Sequence, residues 1–96
     1  MRILYDGEKR YVGVTITRTD EEEFTIETAQ YEICDTKGNT IVAKTDAIND
    51  DPDVMMLFDT TLEAIETCNR YWVFFYIGIT DSDEIIMVKV EVDVTR

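Results

Sequence analysis

The residues best suited to chemistry are oxygen-bearing side chains in two short segments. They are Asp46, Asn49, Asp50, Asp51 and Asp53 in the first, and Asp81, Asp83 and Glu84 in the second. Ca²⁺ takes about six to eight oxygen ligands of this kind. Neither segment has the regular spacing of an EF-hand loop, so we expect solvated loops and no metal. If calcium did bind, the carboxylates of Asp50, Asp51 and Asp53 would be its candidate ligands.

The groups on which most catalytic sites depend are missing. The chain contains no histidine, which is the commonest general base and transition-metal ligand. Its one serine, Ser82, lies in an acidic turn with no base nearby in sequence. Cys34 and Cys68 form no CxxC pair, which excludes a zinc site. We therefore expect no enzyme and no cofactor, and two reduced, partly buried thiols, with a disulfide between them as the alternative.

Segment 70–80 carries the pattern most typical of binding. Side chains alternate between the faces of a strand, so two sets form here. The first set is predicted to point into the core together with Val88, Val90 and Val92, and it comprises Tyr71, Val73, Phe75, Ile77 and Ile79. The second set, Trp72, Phe74 and Tyr76, would then lie on the outer face.

Trp72, Phe74 and Tyr76 are candidates for an interface with another protein chain, either a partner or a second copy. Trp and Tyr are the residues most enriched at interface hot spots. The alternative is that a loop, a terminus or the stems of neighbouring Lys and Arg side chains cover this face.

Charge excludes several classes of partner. The chain has 21 acidic and 9 basic residues and a net charge of −12, which repels nucleic-acid phosphates and anionic membranes. An acidic decoy of the DNA-mimic type, which binds a basic protein surface, stays open as an alternative function. No signal-like or membrane-spanning apolar segment is present. We therefore expect no nucleic acid and no membrane, and a cytoplasmic or virion-associated protein.

Short strands separated by turns must position these residues. The apolar patterns and turn signals predict an edge strand 2–5, strands 10–18, 24–34, 40–44 and 54–58, and two long strands 70–80 and 84–95. A parity switch near Glu27 and Thr28 predicts a bulge, and Asp35 to Asn39 predicts a hairpin turn. Segments 20–23 and 46–53 are predicted as solvated loops, and the region near 61–67 as at most one short helical turn.

These patterns together predict an all-β fold. A chain of 96 residues, 45% of them hydrophobic, supports one core and hence one domain over 1–96. Six to eight short strands with no crossover helix favour an antiparallel two-sheet sandwich of immunoglobulin-like type.

Three strings carry a resemblance to a known kind of module. They are Phe24 to Ile33 (FTIETAQYEI), Asp35 to Gly38 (DTKG), and Tyr71 to Gly78 (YWVFFYIG) leading into a valine-rich last strand. Together they resemble the immunoglobulin-like modules of tailed-phage and prophage structural proteins. The resemblance implies that the Tyr71 hydroxyl bonds to upstream backbone, as in a tyrosine corner. It also implies a non-enzymatic virion or surface module that contacts other proteins.

Overall fold

The part of the chain that the structure describes forms eight β-strands and one 3₁₀ turn. The computed structural model describes residues 2–17, 25–65 and 68–96. The strands are β1 (Arg2–Tyr5), β2 (Lys9–Thr15), β3 (Ile26–Asp35), β4 (Thr40–Asp46), β5 (Ile48–Asp50), β6 (Asp53–Asp59), β7 (Arg70–Ile79) and β8 (Ile85–Thr95), and the 3₁₀ turn is Glu63–Ile65. The predicted loop 20–23, and the predicted strand and helical-turn residues at 18, 24 and 66–67, lie outside the described residues. No helix in the described ranges is long and apolar enough to cross a membrane.

Two sheets form a β-sandwich, which confirms the predicted all-β, two-sheet fold. The larger sheet has the order β1-β8-β7-β3-β4, and the smaller has the order β2-β6-β5. Most pairs are antiparallel, but β1 runs parallel to β8, with Arg2 opposite Val92 and Tyr5 opposite Thr95. This parallel pair differs from the all-antiparallel expectation. It arises because the turn at Asp6 and Gly7 carries the chain into the other sheet, so β1 cannot form a hairpin with β2.

The predicted bulge in β3 is confirmed. The register against β7 shifts between the pairs Ile26 with Ile79 and Thr28 with Gly78. One extra residue exchanges the two faces of a strand. As a result Ile26 and Ala29, which have opposite parity in sequence, are both buried.

The hairpin turn after β3 is also confirmed. The Asp35 carboxylate accepts the backbone N–H groups of Lys37 and Asn39, each at 2.9 Å. The Asn39 N–H in particular holds the pKa of Asp35 below its ordinary value, because it stabilises the ionised form.

The predicted loop 46–53 is wrong over most of its length. Ile48–Asp50 is strand β5, which pairs antiparallel with β6, so only residues 51 and 52 form a turn. Ala47 carries the chain from one sheet to the other, and its N–H donates to the Ala29 carbonyl at 2.9 Å. Every residue of β5 is exposed, and such an edge strand has no alternation of polar and apolar residues to reveal it.

The hydrophobic core lies between the two sheets, and β7 supplies its centre. Tyr71, Val73, Phe75 and Ile77 are 0% exposed and Ile79 is 9% exposed. This confirms the predicted facing of the strand. In β8 the three predicted valines behave differently, since Val92 is fully buried whereas Val88 and Val90 are half-buried against the core.

The Tyr71 hydroxyl bonds to backbone upstream of it, and we call this arrangement the tyrosine corner. The hydroxyl accepts the Cys68 N–H at 3.0 Å and lies within hydrogen-bond distance of the carbonyl oxygens of Ile65 and Cys68. The Arg96 guanidinium donates to the same two carbonyls. Thus the end of the 3₁₀ turn is held from two directions, by the penultimate strand and by the last described residue.

Candidate interaction face

The outer face of the five-stranded sheet carries Trp72, Phe74 and Tyr76, which we call the aromatic stripe. All three side chains are half-buried and lie on β7, the central strand. Residues directly opposite on the neighbouring strands share a face of the sheet. They are Cys34 and Glu91 beside Trp72, Glu32 and Lys89 beside Phe74, and Gln30 and Met87 beside Tyr76.

Two lysines cover part of the stripe. The Lys89 Nζ lies 4.1 Å from the centroid of the Trp72 ring, and the Lys44 Nζ lies 4.0 Å from that of Tyr76. Both distances are within the range of a cation–π interaction. The alternative that the sequence raised, that lysine stems cover this face, therefore holds in part. The two lysines cover some of the aromatic stripe, and its three side chains stay partly exposed to solvent.

Hydrogen bonds and ion pairs fix the geometry around the stripe. The Tyr76 hydroxyl donates to Glu32 Oε1 at 3.0 Å. Burial, with a further contribution from Glu32, raises the pKa of Tyr76, so the hydroxyl stays a donor at neutral pH. On the β8 side Arg70 binds Glu91 at 3.0 Å and Asp93 at 2.8 Å. An interface built on these residues would lose little conformational freedom on binding.

Two further apolar side chains extend the stripe towards the start of β8. Met87, 60% exposed, lies opposite Tyr76, and Ile85, 63% exposed, lies opposite Gly78. A Cβ at Gly78 would collide with the Thr28 hydroxyl, so only glycine leaves this part of the sheet undisturbed. Sequence reasoning did not select Ile85 and Met87. The signal was present, because the alternation of segment 84–95 already placed both opposite in parity to the valines.

The carboxylates named as candidate calcium ligands do not come together at one site. The Asp51 Oδ2 accepts the Ile26 N–H at 3.2 Å, and the Asp53 Oδ1 accepts the Thr15 hydroxyl at 2.6 Å. Asp50 is exposed at the end of β5. Within the described ranges no group of three or more His, Cys, Asp or Glu side chains is arranged to hold a metal ion.

The two cysteines are not joined in a disulfide. Cys34 is buried on the same face as Trp72, and Cys68 is half-buried beside the tyrosine corner. Burial raises the pKa of the Cys34 thiol, and nearby Glu32 raises it further. Since the thiolate is the reactive form, this thiol is poorly suited to nucleophilic chemistry.

In comparisons with protein-family models, curated proteins and solved structures, nothing matched this chain. The functional argument therefore depends on the geometry described above.

Proposed function

We propose that this chain is a non-enzymatic protein-interaction module with an immunoglobulin-like sandwich, of the kind found in phage and prophage structural proteins. Its interface is the outer face of the five-stranded sheet, formed by the aromatic stripe with Ile85 and Met87. One observation carries the proposal: three half-buried aromatic side chains and two exposed apolar ones lie side by side on the two adjacent strands β7 and β8.

Burial of this face would yield a substantial free energy. Large apolar side chains contribute about 25 cal/mol per Å² when they leave water, and contiguous apolar patches on a soluble protein mark interaction sites. Trp72 lies between Glu91 and Cys34 with Lys89 above its ring. An aromatic residue surrounded by polar groups that exclude water is the usual arrangement of a hot spot.

The charges beside the stripe favour a second copy as the partner. Two lysines, Lys44 and Lys89, and two glutamates, Glu32 and Glu91, contact or adjoin the aromatic rings. A face that carries both signs offers opposite charges for pairing across a two-fold symmetric interface. The remaining surface is strongly acidic, since the chain as a whole has a net charge of −12, so other faces of two copies repel each other.

Replacing Trp72 with alanine tests the proposal. We expect Trp72→Ala to weaken self-association by roughly 2 kcal/mol, because it removes the largest aromatic side chain of the face. Sedimentation equilibrium over a range of concentrations measures this. Tyr11→Ala is the matched control, because Tyr11 is 59% exposed on the smaller sheet opposite Leu57; it should leave association unchanged.

Two other outcomes are informative. A wild-type protein that stays monomeric, together with a sharp loss of thermal stability in Trp72→Ala, would mean that the stripe is internal packing. Binding to a basic protein that weakens steeply with salt would favour the acidic decoy, because an aromatic interface depends only weakly on ionic strength.

A further inference from the structure

One edge of strand β8 pairs with another described strand over only part of its length. Residues Val92 to Thr95 pair with β1 on one side and with β7 on the other. Residues Ile85 to Glu91 pair with β7, and among the described residues no strand pairs with their other side. An open edge of this length presents a row of backbone donors and acceptors to solvent.

The direction of each backbone group on this edge follows from bonds at the end of β8. The Val94 N–H donates to the Asn69 carbonyl, on the β7 side, and the Thr95 carbonyl accepts the Asp6 N–H, on the β1 side. Successive residues of a strand point their backbone groups to opposite sides, and the pairing of β8 with β7 has no register shift. The N–H and C=O groups of Met87 and Lys89 therefore face the open edge.

Among the described residues the smaller sheet also ends at this place. Strand β2 is at the edge of that sheet, and a groove of about 590 Å³ lies beside it. The larger sheet lines this groove with Arg2 and Val88, and the rest of its lining is Tyr11, residues 13–16 and residues 53–55. The apolar side chains Val14, Ile16 and Val88 are only half-buried, and one more strand beside β8 would cover them.

Charge is distributed unevenly along this edge. Asp81, Asp83 and Glu84 are exposed at its beginning. At its other end Glu91 and Asp93 are already paired with Arg70. A positively charged group is therefore favoured beside Asp83 and Glu84.

We propose that the open edge of β8 binds an extended segment of another protein, which adds as a strand. Its apolar residues alternate and enter the groove beside β2, and a Lys or Arg at its end lies next to Asp83 and Glu84. Backbone hydrogen bonds to Met87 and Lys89 would supply affinity, and the alternating side chains would supply specificity. The edge uses the backbone groups of Met87 and Lys89, whereas the face proposed above uses side chains of the aromatic stripe, Ile85 and Met87, so either proposal can fail alone.

A second copy fits this edge poorly. Antiparallel pairing of two β8 strands over Ile85 to Glu91 would centre on Val88 and bring the acidic residues Asp83 and Glu84 of each copy towards the end where Arg70 of the other already faces two carboxylates. Acidic groups brought together in this way repel each other. Each copy also carries a net charge of −12.

A synthetic peptide tests the proposal on the intact chain. The probe alternates valine and threonine and has a lysine at each end, so that either strand direction brings a lysine to the acidic group. A peptide of the same composition with its valines grouped together is the control. We expect the alternating peptide to bind about tenfold more tightly. Two further peptides carry methyl groups on backbone nitrogens, one on those of threonine and the other on those of valine. We expect at least one of them to lose binding, because methylation removes N–H groups that would bond to β8.

Amide hydrogen exchange of the protein locates the bound peptide. The Met87 and Lys89 amides should exchange more slowly when the alternating peptide is bound, whereas the Val88 amide, which already faces β7, should change little. Equal binding of alternating and grouped peptides, or binding without protection of Met87 and Lys89, would overturn the proposal. Protection of the Met87 and Lys89 amides that appears in the protein alone as its concentration rises, and that persists in Trp72→Ala, would also overturn it, in favour of a second copy at this edge.

Discussion

Replacing Phe75 with alanine should lower the free energy of unfolding by about 3–5 kcal/mol, whereas Phe74→Ala should cost no more than about 1–2 kcal/mol. The two residues are neighbours of the same type on the same strand. Phe75 is 0% exposed between the sheets, and its removal leaves a cavity. Phe74 is half-buried on the outer face, beside Glu32 and Lys89, so solvent can reach the space that its ring leaves.

Urea unfolding of both variants measures the difference. The midpoints should separate while the dependence on urea stays similar, because the folded state is the same in both. Equal losses in the two variants would contradict the assignment of the two faces of β7, and with it the placement of the aromatic stripe.

Replacing Tyr71 with phenylalanine should cost about 1–3 kcal/mol, although it removes a single oxygen atom. The hydroxyl is buried, accepts the Cys68 N–H and lies against the carbonyls of Ile65 and Cys68. Phenylalanine removes the acceptor of the Cys68 N–H and one of the two donors that face the carbonyls of Ile65 and Cys68, where Arg96 is the other. Tyr11→Phe is the control, because Tyr11 is 59% exposed and its hydroxyl is hydrated in both folded and unfolded chains.

A double-mutant cycle adds a second check on this corner. Arg96 donates to the same carbonyls of Ile65 and Cys68, so Tyr71→Phe and Arg96→Ala should be non-additive in thermal or urea unfolding. Strict additivity would mean that the two side chains act independently and that the shared carbonyls do not link them.

Local patterns predicted most of the strands, because each depends on residues close together in the chain. The alternation of 84–95 and of 70–80 is such a signal, and so is the parity switch at Glu27 and Thr28 that marks the bulge. Strand β5 has no alternation, since Ile48, Asn49 and Asp50 are all exposed, so its pairing with β6 could not be predicted.

The sequence did not predict which strands pair when they are far apart in the chain. Nothing near Arg2 to Tyr5 indicates that β1 adds in parallel to β8, ninety residues along the chain. The sequence predicted that Lys or Arg stems could cover the aromatic stripe, but not which residues would do so. Which lysine lies over which ring depends on the register of β8 with β7 and of β4 with β3, and the second pair contains two register shifts.

Acrylamide quenching of Trp72 fluorescence tests the central claim, that the aromatic stripe is an interface, most directly. Trp72 is the single tryptophan of the chain, so its emission reports on this face alone, and a neutral quencher is insensitive to the charge of −12. As protein concentration rises from about 1 μM to about 1 mM, the range in which weak complexes form, we expect the quenching constant to fall as sedimentation shows a second copy binding. A quenching constant that stays the same while the protein dimerises, or a protein that stays monomeric throughout, would contradict the claim.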